Sequence, residues 1–382
     1  MTSTQPILAY VPCVCTGVGA SYTPIAIAWE MLKAGNTVSV FTPSAVTSLP
    51  KGLNPVLGIP MILPRPFRNG RFQRLAQDRI ETRLLHRVGK LGPGTIVWTW
   101  PGAGPDSTRK LKSAGAVVVR EMINTHCWTA MRILDAEADR TGASGLHEIT
   151  GEWGEAESEE LALADYIVSP SAGVDASLAQ WGVPDEKVIK SHFGWDPDRF
   201  SPRQGMSHRG EFVALFVGEI SMRKGAHLAL AAWERAGIRG ELRMVGRIRQ
   251  EMVPIMQKYA ANNTVRHVPF TADVATHYRD SDCLFFPTLE EGAPLVCYEA
   301  AGCGLPIVTG PMGAGRLVAT DVNGLIVDPH DQEGLVAALR RLATDEDYRQ
   351  SLSAGAVQTA TQFRWEDAAR NRLQLLQAHS NG

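Results

Sequence analysis

The feature that most constrains this chain is an alternation of short apolar runs with longer helical stretches, which occurs twice along its 382 residues. Apolar runs lie at 7–11, 37–41, 95–100, 116–120 and 166–169, and again at 212–217, 242–245, 265–268, 283–286 and 307–309. This rhythm is typical of parallel strands connected by helices. A stretch rich in Gly, Pro and Asp at 193–202 separates the two series. We therefore expect an α/β protein with two Rossmann-like domains that face a central cleft.

The first 29 residues contain no charged side chain, and Glu30 is the first acidic residue. A membrane helix needs about 20 predominantly apolar residues, and a signal peptide needs a basic start. Here there is no basic start, and prolines and glycines interrupt the segment. We predict instead a strand at 7–11, a turn-rich loop at 12–22 and a helix at 24–33, because Pro24 suits a first helical turn.

Charge and cysteine content exclude two classes of protein. There are 38 Lys and Arg against 40 Asp and Glu, and the net charge of −2 argues against nucleic acid as a partner. Six cysteines in 382 residues are too few for a disulfide scaffold, and none has zinc-finger spacing. We expect reduced thiols in a cytoplasmic protein.

The segment 286–309 is the most informative for function. An apolar strand ends near residue 286, a loop carries Glu291, and Pro294 opens a helix. A helix N-terminus presents free backbone N–H groups and a partial positive charge, which suit an anion such as a diphosphate. The predicted anion-binding segment consists of Gly292, Ala293, Pro294 and Leu295. Glu299, over a turn further along, is suited to a ribose diol, and Glu291 to the hydroxyl groups of a sugar beyond the phosphates.

These residues resemble the GT-B glycosyltransferases of family four, the retaining group with the E-x7-E motif. Glu291 and Glu299 have the motif's spacing, and the flanking segments Glu-Gly-Ala-Pro-Leu and Ala-Gly-Cys-Gly-Leu-Pro-Ile-Val match the family. The resemblance implies a GT-B architecture with an acceptor-binding domain at 1–195 and a nucleotide-sugar donor-binding domain at 196–360. It also implies a C-terminal helix at 361–382 that crosses back to the first domain.

A second match is the segment Phe-Val-Gly-Glu-Ile-Ser-Met-Arg-Lys-Gly at 216–225. The family has an arginine after the first glycine, here Gly218, and a lysine before the second, and both clamp the donor diphosphate. Lys224 fits the lysine, but Glu219 occupies the position of the arginine. We expect Glu219 to point away from the diphosphate and Arg223 to supply the missing positive charge.

Weaker matches extend the resemblance to the first half of the chain. Gly17 and Gly19 correspond to a glycine loop that approaches phosphate and acceptor. His126 matches a position that faces the transferred sugar, and 363–365 resembles the start of the family's last helix. On the resemblance, Glu291, Lys224 and His126 are the candidate catalytic residues.

The implied reaction is transfer of a hexose from a nucleotide-diphosphate sugar to a hydroxyl acceptor with retention at the anomeric carbon. The acceptor would be a saccharide, a lipid-linked saccharide or a small-molecule glycoside. No cofactor and no metal are expected, because helix N–H groups and Lys224 can neutralise the leaving diphosphate. We therefore assign no metal to the Asp-x-Asp pairs at 196–198 and 345–347. Two alternatives remain open: an epimerase-like nucleotide-sugar enzyme on the same fold, and a non-catalytic nucleotide-binding partner subunit.

The segment 65–90 carries a net charge of +6 with apolar residues at near-helical spacing. The favoured interpretation is a packed helix with a solvated basic face. The alternative hypothesis is peripheral contact with anionic lipid at the inner face of the membrane, or with a lipid-diphosphate acceptor.

Overall fold

The computed structural model describes residues 6–15, 21–45, 49–50, 52–53, 55–59, 71–202, 210–259 and 261–380, without the side chains of 71–73 and 377–380. In this part of the chain the strands form two separate sheets. All the strand pairs in both sheets are parallel. Helices connect most consecutive strands, as the alternation in the sequence predicts.

The first sheet is built from strands β1 (Ile7–Tyr10), β2 (Val38–Thr42), β3 (Val56–Leu57), β4 (Ile96–Thr99), β5 (Val117–Glu121), β6 (Tyr166–Ser169) and β7 (Val188–Lys190). Their order across the sheet is β3-β2-β1-β4-β5-β6-β7. The helices of this half are α1 (Thr23–Lys33), α2 (Arg71–Leu91), α3 (Gly104–Ser113), α4 (Cys127–Thr141), α5 (Gly151–Leu163) and α6 (Ala172–Gln180), with a 3-10 turn at Asp185–Lys187.

The second sheet is built from β8 (Phe212–Val217), β9 (Gly240–Val245), β10 (Val265–Val268), β11 (Cys283–Phe286), β12 (Ile307–Thr309) and β13 (Gly324–Ile326). Their order is β10-β9-β8-β11-β12-β13. The helices are α7 (Ala226–Ala236), α8 (Val253–Lys258), α9 (Val274–Arg279), α10 (Leu295–Gly302), α11 (Pro311–Ala314), α12 (Gln332–Thr344), α13 (Glu346–Ala360) and α14 (Trp365–Ser380). A 3-10 turn at Gln250–Met252 precedes α8.

The predicted strand and helix at the N-terminus are present as β1 and α1. All four residues of β1 are buried, and α1 buries Met31 and every residue from Thr23 to Ala28. The charge-free segment therefore contributes to the interior of the first domain, which explains why it can lack charged side chains.

The strand order of each sheet reverses beside one central strand. In the first sheet this strand is β1, between β2 and β4, and in the second it is β8, between β9 and β11. Open α/β sheets bind ligands at the carboxyl ends of the strands beside such a reversal. The loops at 218–225 and 287–294, which follow β8 and β11, therefore lie where a ligand site is expected.

The last helix, α14, packs against α1 of the first domain. Arg372 of α14 and Glu121 of β5 are almost completely buried, and Arg372 Nη2 donates to Glu121 Oε1 at 2.5 Å. The segment between the sheets contacts the chain just before α14, because Trp195 Nε1 donates to the carbonyl oxygen of Ala360, the last residue of α13, at 2.8 Å. The end of the chain thus joins both halves.

Helix α2 carries the described part of the basic segment, 71–90. Four apolar residues on one side of the helix are at most 1% exposed, namely Ala76, Ile80, Leu84 and Val88. Basic residues on the other side are exposed, among them Arg74, Arg79, Arg87 and Lys90. Over 74–90 the favoured interpretation of a packed helix with a solvated basic face is confirmed. None of the described helices combines the length and the hydropathy needed to span a bilayer.

Candidate active site

The loop after β11 leads into α10 as the sequence predicts. Pro294 is the residue that precedes the first turn of α10, and no side chain caps this end of the helix. The first amides of a helix have no acceptor within the helix, and the dipole adds positive character there. The backbone at Gly292, Ala293, Pro294 and Leu295 therefore forms an end suited to an anionic group.

Lys224 and Glu291 form an ion pair at this helix end. The Lys224 side chain is 20% exposed and that of Glu291 is 7% exposed, so the pair is largely shielded from water. Lys224 precedes Gly225, where an added Cβ would overlap with the carbonyl oxygen of Pro287. This close approach of the two loops explains why glycine occurs at 225 and how Lys224 is brought to Glu291.

The ammonium group of Lys224 is unusually easy to deprotonate. Burial disfavours the charged form, and the neighbouring Arg223 guanidinium repels it, so that the pKa of Lys224 falls to about 7. A bound anion would favour the protonated form again. Lys224 is therefore positioned to respond strongly to an anionic ligand.

Glu299 lies on α10, four residues after its first residue, which corresponds to a rise of about 6 Å along the helix. Its Oε2 atom accepts a hydrogen bond from the hydroxyl group of the buried Tyr278 at 2.9 Å. Burial raises the pKa of Glu299, and the Tyr278 hydrogen bond opposes that rise. The Tyr278 hydrogen bond thus holds the Glu299 carboxylate in one orientation.

Glu290 joins the two domains, a role that its place in the sequence pattern does not predict. It is 1% exposed and accepts hydrogen bonds from the amide of Thr125 at 3.1 Å, the Thr125 hydroxyl at 2.7 Å and Arg223 Nε at 2.8 Å. Arg223 Nη2 also donates to Asn124 Oδ1 at 3.0 Å. The positive charge of Arg223, expected to serve the diphosphate, is therefore already opposed by a buried carboxylate.

Gly292 allows the two domains to touch at this point. A Cβ atom at 292 would overlap with the carbonyl oxygen of Ile123, in the loop after β5. A similar close approach occurs within the second domain beside Gly218, whose φ is +137°. There the loop after β9 approaches so closely that a Cβ at Gly246 would overlap with the Gly218 carbonyl oxygen.

His126 is buried inside the first domain, with 1% of its surface exposed. Its Nδ1 accepts the Trp128 amide hydrogen at 3.2 Å at the start of α4, and its Nε2 lies 3.2 Å from Ser158 Oγ. The ring stacks on Trp181 at 5.7 Å, and burial lowers the pKa of His126. Both ring nitrogens have protein partners, so this geometry favours a role in holding the loop 122–126. Contact with the transferred sugar stays a prediction.

Gly17 and Gly19 lie outside the described residues. Of the predicted site residues that the structure describes, Lys224, Glu291 and Glu299 lie around the start of α10. Glu290, which was not predicted, lies beside them and pairs with Arg223.

A cavity of about 430 Å³ lies between the domains beside this network. Its first-domain wall includes Asn124, Cys127 and Trp153, and its second-domain wall includes Glu219, Ser221, Arg223, Arg249 and Glu290. The volume is within the range of small-molecule sites. Glu219, which was expected to point away from the diphosphate, is exposed and faces this cavity.

Residues 198–359 match a protein-family model described as "Glycosyl transferases group 1". The matched range contains Lys224, Glu291 and Glu299. It covers the second sheet and the helices up to α13.

Two curated relatives are D-inositol 3-phosphate glycosyltransferases. That of Catenulispora acidiphila is 27% identical over 59% of this chain and 60% of its own length, and that of Xylanimonas cellulosilytica is 31% identical over 57% and 58%. The chain therefore spans about three fifths of the length of these relatives. The family match and the relatives support the resemblance to the group 1 glycosyltransferases.

Solved structures cover almost the whole chain. Sucrose-phosphate synthase from Thermosynechococcus elongatus has a TM-score of 0.76 at 19% identity, covering 98% of this chain and 99% of that one. HepE from Anabaena, in complex with UDP and glucose, has a TM-score of 0.71 at 16% identity, covering 98% and 100%. WaaG, a glycosyltransferase involved in lipopolysaccharide biosynthesis, has a TM-score of 0.68 at 18% identity, covering 97% and 99%. The predicted GT-B fold of two Rossmann-like domains is confirmed.

Proposed function

We propose that this chain, of which residues 198–359 match the group 1 glycosyltransferases, is a retaining glycosyltransferase. It would transfer a hexose from a nucleotide-diphosphate sugar to a hydroxyl group of a saccharide, a lipid-linked saccharide or a small-molecule glycoside. The observation that carries the proposal is the arrangement of Lys224, Glu291 and Glu299 around the start of α10. The match to a glycosyltransferase family favours transfer over an epimerase-like reaction or a non-catalytic subunit.

The donor diphosphate would bind where the start of α10 and Lys224 offer positive charge. When the diphosphate binds, the Lys224 ammonium group would leave Glu291 and contact a phosphate oxygen. The Glu291 carboxylate could then accept hydrogen bonds from the sugar hydroxyl groups. Glu299, oriented by Tyr278, would accept hydrogen bonds from the ribose diol. Lys224 and the first amides of α10 would stabilise the negative charge that develops as the diphosphate leaves, and this kind of stabilisation is usually the largest single contribution to rate.

The resemblance implies a displacement on one face of the sugar, in which the leaving phosphate takes the proton of the acceptor hydroxyl. A protein nucleophile is not part of this route. We also expect no metal requirement, since Lys224 and the helix dipole supply the positive charge. Full transfer in the presence of EDTA is the expected result, and a requirement for added Mg²⁺ or Mn²⁺ would contradict it.

The test begins with a calorimetric screen of UDP- and GDP-sugars against the full chain. UDP-sugars come first because the HepE structure contains UDP. The best donor is then incubated with a panel of saccharides, small-molecule glycosides and D-inositol 3-phosphate, the compound in the relatives' names. The anomeric configuration of the product is read by NMR. An inverted product would refute retention, and the absence of any transfer would refute the activity.

Site variants connect the activity to the proposed residues. Glu291→Ala is expected to reduce transfer at least about 100-fold, because an interaction of about 3 kcal/mol in the transition state is lost. Glu299→Gln should instead weaken nucleotide binding. Glu186→Gln, an exposed residue of the 3-10 turn at Asp185–Lys187, is the matched control and should leave both unchanged. Unimpaired transfer by Glu291→Ala would refute the site assignment.

Peripheral membrane contact is a separate proposal. The apolar side of α2 is packed in the first domain, so any contact through this helix would use its exposed basic side and would be electrostatic. We expect weak co-sedimentation with anionic vesicles at low salt and none with neutral vesicles. No binding to anionic vesicles at low salt would refute it.

A further inference from the structure

The first-domain wall of the cavity between the domains carries a largely exposed tryptophan. Trp153, the third residue of α5, is 55% exposed and lines the cavity. Helix α5 packs through the next residue, because a Cβ atom at Gly154 would overlap with the Trp128 ring. The Trp153 indole is therefore not needed for this packing contact, and a large apolar ring exposed in a cavity indicates a ligand site.

The start of α5 fixes the position of this indole beside a carboxylate. Thr150 caps the helix, and its Oγ1 atom accepts the Trp153 amide hydrogen at 3.4 Å. Glu157 lies one turn after Trp153, on the same side of the helix, and lines the same cavity. Its Oε2 atom accepts the Cys127 amide hydrogen at 2.6 Å, which holds the carboxylate in place. An indole face and a carboxylate together suit a sugar ring, because a pyranose has an apolar C–H face and hydroxyl groups at its edge.

The charge of the cavity favours an uncharged ligand. Five glutamates and three arginines line it, which gives a net charge of −2 when its histidine is neutral. Two of the arginines already form ion pairs with carboxylates, namely Arg120 with Glu160 and Arg223 with Glu290. The lining glutamates that form no ion pair with any described residue are Glu148, Glu219 and Glu251. Among the described lining residues Arg249 is the one unpaired arginine, so a phosphate group would bring negative charge to a surface that is already acidic.

The cavity adjoins the proposed position of the transferred sugar without including the diphosphate site. Arg223 and Glu290 line the cavity, and the residue after each of them belongs to the ion pair of Lys224 and Glu291 at the start of α10. Consecutive Cα atoms are about 3.8 Å apart, so the cavity begins within one residue of this pair. Lys224, Glu291 and Glu299 themselves do not line the cavity. A second substrate could therefore occupy it beside a bound donor.

We propose that this cavity binds the acceptor of the glycosyl transfer, and that the acceptor is an uncharged saccharide or glycoside whose sugar ring stacks on the Trp153 indole. The carboxylates of the cavity, among them Glu157, would accept hydrogen bonds from its hydroxyl groups. A phosphorylated acceptor such as D-inositol 3-phosphate, the compound in the relatives' names, would be used poorly. This inference rests on the proposed function, because it names the acceptor class and an acceptor-binding residue of that reaction.

The test uses the full chain with the donor identified by calorimetry, and it compares each uncharged acceptor with its phosphorylated form, for example myo-inositol with D-inositol 3-phosphate. We expect kcat/KM to be at least about tenfold higher for the uncharged form. Trp153→Ala should raise the KM of the acceptor about tenfold, the size of one aromatic stacking contact, and leave the Kd of the donor unchanged. Trp153→Phe, which keeps an aromatic face, should retain most of the affinity. Leu75→Ala, an exposed apolar residue of α2 outside the cavity, is the matched control and should change neither constant.

A charge variant tests the selection against phosphate separately. Glu148→Lys, at an exposed position of the lining, should narrow the preference for the uncharged acceptor at least about threefold, because it replaces one carboxylate of the cavity with a cation. An unchanged preference would overturn the role given to these carboxylates. If Trp153→Ala changes the KM of the acceptor less than about twofold, or if the phosphorylated acceptor is preferred, the inference is overturned while the transferase activity stands. If no acceptor receives sugar from any donor, the proposed function fails, and the acceptor site fails with it.

Discussion

A buried carboxylate of α4, Glu137, links the two domains just behind the loop at 218–225, and its removal is expected to weaken the contact between the domains. Glu137 of α4 is 2% exposed. Its Oε1 lies 2.7 Å from Nε2 of His227, at the start of α7, and its Oε2 lies 2.7 Å from Nε2 of His330, just before α12. Arg140 is a further neighbour, with Nε 3.4 Å from Oε2. One side chain of the first domain thus holds two elements of the second.

The size of the effect follows from the pKa of Glu137. Burial alone would raise this pKa, but the hydrogen bonds and charges of His227 and His330 outweigh burial and lower it from 4.5 to about 2. One pKa unit corresponds to about 1.4 kcal/mol, so the ionised form is favoured in the folded state by about 3 kcal/mol. Because the folded-state pKa is the lower one, this contribution is complete above pH 4.5 and is lost as the pH falls toward 2.

The perturbation is Glu137→Gln, which keeps the shape of the side chain and removes its charge. We expect urea titration at pH 7, followed by circular dichroism, to show a loss of about 3 kcal/mol in the free energy of unfolding. The difference from the original chain should shrink as the pH is lowered below 4.5. Glu155→Gln, an exposed glutamate of α5, is the matched control and should change little. A loss of less than about 1 kcal/mol at pH 7 would refute the reasoning, since that is the scale of an exposed ion pair.

Three further outcomes are expected. Gly292→Ala should lower kcat at least about tenfold, because its methyl group would force the loop away from the Ile123 carbonyl; an unchanged kcat would mean that the loops need not meet. Since the pKa of Lys224 is about 7, below its usual 10.5, the ammonium is lost above pH 7. The Kd of UDP or GDP should therefore rise by up to about tenfold per pH unit between pH 7 and 9, and a flat calorimetric profile would contradict this. Arg372→Met should destabilise the chain by about 3–5 kcal/mol in urea titration, because Glu121 would remain buried without its cation. Adding Glu121→Leu should recover part of that loss; a loss below about 1 kcal/mol for the single variant would count against the buried pair.

Local sequence patterns determined most of the fold. β6, β8, β10, β11 and β12 have the predicted bounds, because short apolar runs between helices have few other stable arrangements than buried parallel strands. Shorter strands such as β3 and β7 were not predicted, since two or three residues at a sheet edge are too few to form a recognisable apolar run. The proximity of Lys224 to Glu291 could also be predicted from the sequence, because loops that follow neighbouring parallel strands meet at one edge of the sheet.

Other features required the tertiary structure because they depend on which surfaces meet. Glu290 and Glu291 are adjacent and chemically identical in the sequence, yet Glu290 bonds to Thr125 of the other domain and Glu291 to Lys224. The low pKa of Glu137 and its link between the domains depend on two histidines that are 90 and 193 residues away along the chain. Periodicity and motifs report the environment of a residue along its own strand or helix. Burial between domains, and the charge left available at a ligand site, are decided by the packing of distant segments.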